Sequence, residues 1–196
     1  GWRNRNRIKA PNGPHWLTVP VRTNHLNKLR TLEIEIDNRL PWARKHMGTI
    51  KQYYSKAPFL DRYFPELEAI LTSQWNLLVD LDLALIHRIC AWLDIKRRVL
   101  RASETKIEGA QSERLLNFCL HFGATQYLSG NSAQDYLEMD LFVKKGIQVV
   151  WQNYQHPSYP QLHGEFVPCL PIIDLILNCG PESARILQPS ALNASS

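Results

Sequence analysis

No apolar run in the 196 residues approaches the roughly 20 needed to span a bilayer. The best candidate is the short segment from Leu170 to Leu177, so no transmembrane segment is expected. Cysteine is scarce: Cys90, Cys119, Cys169 and Cys179 share no CxxC spacing, which argues against zinc, against any other metal centre and against a disulfide framework. Reduced thiols used as small hydrophobes fit a cytoplasmic protein. Neither a Walker loop nor a GxGxxG fingerprint is present, and heptads, internal repeats and low-complexity runs are absent. No ATP-activating or acyl-carrier motif is visible, and no cofactor is identified.

What is present is the apolar and charged balance of an ordinary globular protein, 44% and 21% of residues. A chain of this size buries a sizeable core as one domain, expected over residues 1–188, with residues 189–196 as a flexible polar tail. Charge is unevenly spread. Residues 1–60 hold twelve Lys and Arg against Glu33, Glu35 and Asp37, whereas the remainder holds eleven against fifteen. The basic part should face an anion: nucleic acid, a nucleotide sugar, a lipid head group or a pyrophosphate carrier.

The elements alternate. Trp2 to Ala10 and His15 to Val21 flank the turn formers Pro11, Asn12, Gly13 and Pro14, which predicts a hairpin. Leu32, Ile34 and Ile36 alternate with Glu33, Glu35 and Asp37, the period of a strand with one wet face. Pro41 opens a helix carrying Trp42, His46, Ile50 and Tyr53, and Pro65 to Ile95 is helical with a break near Thr72 and Ser73. A short strand at Val99 to Ala102, a helix from Ser112 to Phe122, and strands at Thr125 to Leu128 and Ile147 to Gln152 follow. A last helix runs from Pro171 to Cys179 with Gly180 past its end. This order predicts an α/β fold, a single domain with a mixed or mainly parallel sheet flanked by helices.

Several groups in this frame could carry chemistry. In an extended stretch Arg3, Arg5 and Arg7 share one face about 7 Å apart, with Asn4 and Asn6 on the other. Three guanidinium forks suit phosphate oxygens; the alternative is a charged edge that blocks strand association. Lys45 and His46 are adjacent on a helix, so only His46 lies on the apolar stripe, as an acid/base or as a hydrogen-bonded packing residue. His156 sits in a loop just past a strand, where α/β sheets place ligands, though loop histidines are also simply exposed. Ser129, Gly130, Asn131 and Ser132 make a small-residue turn that could cradle an anion or be an ordinary turn capped by Asp135. Asp174 and Asn178 share a face of an apolar helix, as substrate-amine ligands or as a buried tether that needs an arginine or backbone donors to compensate the charge.

The run from Trp2 to Ile8 followed by Asn12, Gly13 and Trp16 to Val21 resembles the WbqC-like pattern. So do Trp42, Lys45 and His46 with Tyr54, Lys56, Ala57 and Pro58, then Arg114 to Leu116, Tyr127 to Gly130, and Tyr136 with Leu137. His156, Pro157, Tyr159 and Gln161, and finally Ile172 to Leu175 with Asn178 to Gly180, complete the resemblance. It covers nearly the whole chain and lies in the order and spacing of its parts. The family's opening His-Gln-Pro motif and proline-tryptophan pair are absent, so the chain is expected to be truncated ahead of Gly1. Pro171 stands where the pattern has Ser. The resemblance implies a group transferase in O-antigen or related surface-polysaccharide synthesis, passing glycine or another aminoacyl group to an amino sugar. Its partner would be a nucleotide sugar or sugar-phosphate intermediate. Non-catalytic anion or nucleic-acid binding, and a scaffold role in a polysaccharide assembly complex, are the other classes. Nucleic acid is the weaker of these because Trp2 is the only aromatic within the arginine run itself.

Overall fold

A two-residue turn at Pro11 and Asn12 starts the fold. In the computed structural model, which describes residues 2–22 and 30–188, Arg5–Ala10 (β1) and Gly13–Thr18 (β2) pair antiparallel, Ala10 opposite Gly13 and Arg5 opposite Thr18. Gly13 takes φ +106°, a conformation that favours glycine and lets the strands reverse this tightly. Trp2–Asn4 forms a 3-10 turn instead of prolonging the strand. Asn4 closes the ladder there: its carbonyl accepts from the Val19 amide at 2.8 Å and its Nδ2 donates to the Val19 carbonyl at 2.9 Å. The expected alternation of three arginines therefore holds only for Arg5 and Arg7.

The strand expected around Leu32 to Ile36 is reduced to isolated bridges, Val21 with Ile36 and Glu35 with Leu77. Thr31–Glu33 winds into a 3-10 turn because the backbone amide and the guanidinium of Arg30 both bind the Glu33 carboxylate, at 2.6–2.9 Å. Trp42–Tyr53 (α1) buries Trp42, His46 and Ile50, one residue per turn on one face. The long helical stretch divides at Ser73 into Leu60–Thr72 (α2) and Leu78–Trp92 (α3). Helix α2 begins before Pro65, which lies inside it rather than at its start. No strand forms at Val99 to Ala102; Ala102–Glu104 is a 3-10 turn.

The chain makes two compact units, one from residues up to Lys96 together with those from His156 onward, the other from Arg97 to Gln155. In the first, α1, α2 and α3 pack with the hairpin around Ile8, Tyr54, Leu81 and Leu177. In the second, Gln111–His121 (α4) and Met139–Val143 (α5) cover Gln126–Ser129 (β3) and Gln148–Trp151 (β4), which pair in parallel with Gln126 opposite Gln148. Its core is Leu116, Cys119, Leu137, Phe142 and Ile147. Returning to the first unit, Ile172–Cys179 (α6) is almost wholly buried, with Pro171 as its N-cap rather than its first residue, and Ser183–Ile186 (α7) follows.

The α/β class thus holds, with helices and two small sheets, one of them parallel. The expected single sheet is met only in part. Each strand pair is closed locally, one by a tight turn and the other by a short crossover through α5, which leaves β1–β2 and β3–β4 in different units. Among the described residues no helix is long and apolar enough to cross a membrane. The tail from residue 189 lies outside the described residues.

Candidate functional site

The antiparallel register sets Arg7 opposite Trp16 and Arg5 two residues away on the same strand. Both guanidiniums lie over the indole, 4.5 Å from its centroid for Arg5 and 5.6 Å for Arg7. Trp16 stays half exposed. The basic run therefore has an aromatic partner from the neighbouring strand, besides Trp2 within the run itself.

Two cavities flank this hairpin within the first unit. The smaller, about 620 Å³, is lined by polar and aromatic groups that include Trp16, Thr18, Arg44, Lys45, His46 and Gln52. The larger, about 630 Å³, runs between the hairpin, α3 and the start of α6. Its walls are apolar, with Ile8, Leu85, Ile89, Trp92 and Ile172 among them, and Arg3, Asn4, Arg5 and Asn6 stand along one side. Both volumes fall in the range of small-molecule sites.

Leu17 and His46 line both cavities. The nearly buried His46 ring packs edge-on against Trp42 at 5.5 Å, and its Nε2 lies 3.1 Å from the Thr18 carbonyl. A carbonyl only accepts, so Nε2 carries the hydrogen and Nδ1 the lone pair. Burial holds the pKa below the ordinary 6.5, so the ring is a neutral base at pH 7. One further titratable group lines the larger cavity. Asp82 is half-buried on α3 and, among the described residues, has no hydrogen-bond or ion-pair partner; burial pushes its carboxyl up to about 6. It was not among the expected site residues, although Leu78, Asp82, Leu85 and Ile89 share one helical stripe and a carboxyl in phase with leucines is the signal that marks it.

The polar residues of α6 close a buried network. Asp174 is fully buried and accepts from Tyr54 at 2.6 Å and from Tyr159 at 2.9 Å, while Asn178 donates to its backbone carbonyl at 2.8 Å. Tyr54 also accepts from the amide of Lys9 at 3.0 Å, so its own proton must point to the carboxylate. Lys9 is buried as well, its Nζ donating to the Glu165 carbonyl at 2.5 Å. Phenols rather than an arginine or backbone donors therefore compensate Asp174. Burial raises its pKa, against the pull of both phenols and of the Lys9 and His163 charges, and burial beside the carboxylate raises both tyrosines further. The cluster draws together Tyr54, Tyr159, Asp174 and Asn178 from distant stretches of chain; only the last two were expected site residues, and Lys9 gave no signal among the surface-type cations around it.

The other expected residues divide. His156 packs at 6.1 Å from Tyr159 and 5.9 Å from Phe166 and lines neither cavity; its Nδ1 lies 2.9 Å from the Pro157 carbonyl. Ser129 and Gly130 belong to the second unit, where the Ser129 carbonyl accepts from Gln152 as the last rung of the parallel pair. Gly130 is the N-cap of the short 3-10 turn Asn131–Asp135 and no side chain caps it, Asp135 included. Asn131 instead ties to Asn153 through two hydrogen bonds of 2.9 and 3.2 Å. Among the described residues no three His, Cys, Asp or Glu side chains converge for a metal.

A mixed α/β protein with a polar and an apolar cavity meeting at one neutral histidine is the class that fold and site define. The chain belongs to the WbqC-like protein family, whose model matches residues 1–186. It is 35% identical over 189 residues to the uncharacterized protein Rv1507c of Mycobacterium tuberculosis, a match covering 95% of this chain and 81% of that protein. No solved structure matches the chain significantly.

Proposed function

We propose that this protein is a cytoplasmic group transferase acting on a sugar-phosphate intermediate of surface-polysaccharide synthesis, and that it acylates an amino sugar with glycine or another aminoacyl group. The observation that carries the reading is His46, a neutral base in the wall common to a polar and an apolar cavity. In the smaller cavity Trp16 offers an aromatic face for a sugar ring, and Thr18, Lys45 and Gln52 offer hydrogen-bonding groups for its hydroxyls. The arginines of β1 hold the phosphate.

The sugar amine attacks the carbonyl carbon of an activated aminoacyl ester or thioester. His46 Nδ1 takes the proton that the nitrogen sheds as the new amide bond forms. The C–O or C–S bond of the donor breaks, and its alcohol or thiol leaves with the proton that His46 passes on, which returns the ring to its neutral form. A separate activating reaction supplies the donor, in keeping with the absence of an ATP-activating motif. Mass spectrometry of the surface polysaccharide from a strain lacking the gene tests the reading. Loss of an amide-linked substituent supports it; loss of whole chains with unaltered residues points to an assembly scaffold instead.

One observation favours a second reading. Arg5 and Arg7 beside the half-exposed Trp16 resemble the stacking platform of a single-stranded nucleic-acid binder. Tight oligonucleotide binding that weakens steeply with salt and depends on Trp16 would favour it.

A further inference from the structure

The larger cavity is walled mainly by apolar side chains, and among the described residues Asp82 is the one acidic group that lines it. A carboxylate in such a wall is costly unless a counter-ion or a hydrogen-bond donor meets it. Asp82 has neither among the described residues: burial alone pushes it up to about 6, and no neighbouring charge pulls it back. The cations that line the cavity are committed elsewhere. Arg88 pairs with Glu66, Arg5 lies over Trp16, which lines only the other cavity, and Arg3 has its own contacts in the protein. Position along α3 gives the site a direction. Asp82 stands near the N-terminal end of the lining stretch, and Leu85, Ile86, Ile89 and Trp92 follow it. Ile89 is two turns beyond, about 10 Å along the helix axis. An occupant that satisfies these walls carries a positive charge at one end and an apolar body of about that length.

We infer that this cavity is a site for an apolar primary amine, with the ammonium on Asp82 and the hydrocarbon along α3 toward Trp92. An ammonium gives the carboxylate the charge-assisted hydrogen bonds that the protein withholds. An alcohol of the same length offers one neutral hydrogen bond, and a carboxylate is repelled. The natural ligand follows from the proposed transferase reading and rests on it: the aminoacyl donor, its α-ammonium on Asp82 and an apolar side chain in place of glycine's hydrogen. Held as an ammonium, the donor's amine has no lone pair with which to attack a second donor, so the sugar amine is left as the nucleophile. His46 lines the same cavity and is the base for that attack. Each further methylene buried along α3 should tighten binding about fourfold until the cavity is filled.

The test is calorimetric titration of the full chain at pH 8 with hexylammonium, butylammonium, hexanol and hexanoate. Asp82 is ionised there and both amines are cations. Hexylammonium should bind at least tenfold more tightly than hexanol and roughly fifteenfold more tightly than butylammonium, with hexanoate silent. Asp82→Asn should bring hexylammonium down to the level of hexanol while hexanol itself binds as before, which shows the cavity intact. Equal affinity of the wild-type protein for hexylammonium and hexanol would overturn the inference, as would an Asp82→Asn protein that keeps the preference for the ammonium. Hexanoate binding as tightly as hexylammonium would also overturn it, by placing an anion site in the cavity. So would light scattering that shows a dimer unable to take up hexylammonium, by placing a second copy in the groove. Binding of hexylammonium through Asp82 without aminoacyl transfer to any amino sugar would leave the amine site standing and remove the transferase. Aminoacyl transfer by a protein that takes up no alkylammonium would do the reverse.

Discussion

The hydroxyl of Tyr54 donates to Oδ1 of Asp174 over 2.6 Å, joining the end of α1 to α6 across 120 residues of chain. Tyr54 also receives the Lys9 amide, so one phenol ties β1, α1 and α6 together. Removing this hydroxyl orphans two buried groups, whereas removing that of Tyr159 orphans one oxygen of the same carboxylate. Tyr54→Phe should cost about 2–5 kcal/mol and Tyr159→Phe about 1–3 kcal/mol. Urea denaturation measures both, and equal costs would contradict the arrangement.

Asp82 makes stability depend on pH. Its carboxyl titrates at about 6 in the folded protein against 3.8 ordinarily, so the folded state holds the proton more tightly than the unfolded chain. The favourable protonated state is fully present below about pH 4 and is lost as pH rises through 6, where folding must desolvate a carboxylate. Asp82→Asn should therefore stabilise the protein at pH 8 by about 1–2 kcal/mol, a figure discounted for the solvent that still reaches the group, and leave it unchanged near pH 4. Thermal melts of both proteins across this range decide the matter.

Gly180 ends α6 at φ +55°, and a Cβ placed there would lie 2.5 Å from the Phe59 ring. Gly180→Ala combines backbone strain with a clash against a ring whose own amide is held by the Leu177 carbonyl at 3.1 Å. A loss of about 2–4 kcal/mol is expected in chemical denaturation, and an unchanged midpoint would mean the ring moves freely.

Local pattern made much of this legible. The Pro-Asn-Gly turn, the stripe of α1 and the stop at Gly180 follow from residues within a few positions of one another, and each forms as expected. The strand around Ile34 failed because a single pair, Arg30 with Glu33, turned the backbone at its start, and alternation carries no record of such a contact. The site was less legible because its parts meet only through the fold. His46 was marked by its place on an apolar stripe, but its position between two cavities depends on the hairpin and α3. Trp16 reaches the arginines through strand register, and Tyr54 and Lys9 find their partners, Asp174 and the Glu165 carbonyl, more than a hundred residues later.

His46 should also govern the pH profile. Its pKa lies below 6.5 because burial disfavours the charged ring, so the base is competent at neutral pH and lost as pH falls through that lowered value. The acid limb of kcat/KM should therefore be centred below pH 6.5, and the small residual turnover of His46→Gln in vitro, too slow to acylate the polymer in the cell, should lack that limb.

The most direct measurement is complementation of a strain lacking the gene, with the intact polysaccharide read by mass spectrometry. Wild-type protein should restore an amide-linked aminoacyl substituent, whereas His46→Gln, which keeps a side-chain donor for the Thr18 carbonyl, should fold and leave the sugar amine unacylated. Full restoration of the substituent by His46→Gln, or a polymer that never carried one, would contradict the account.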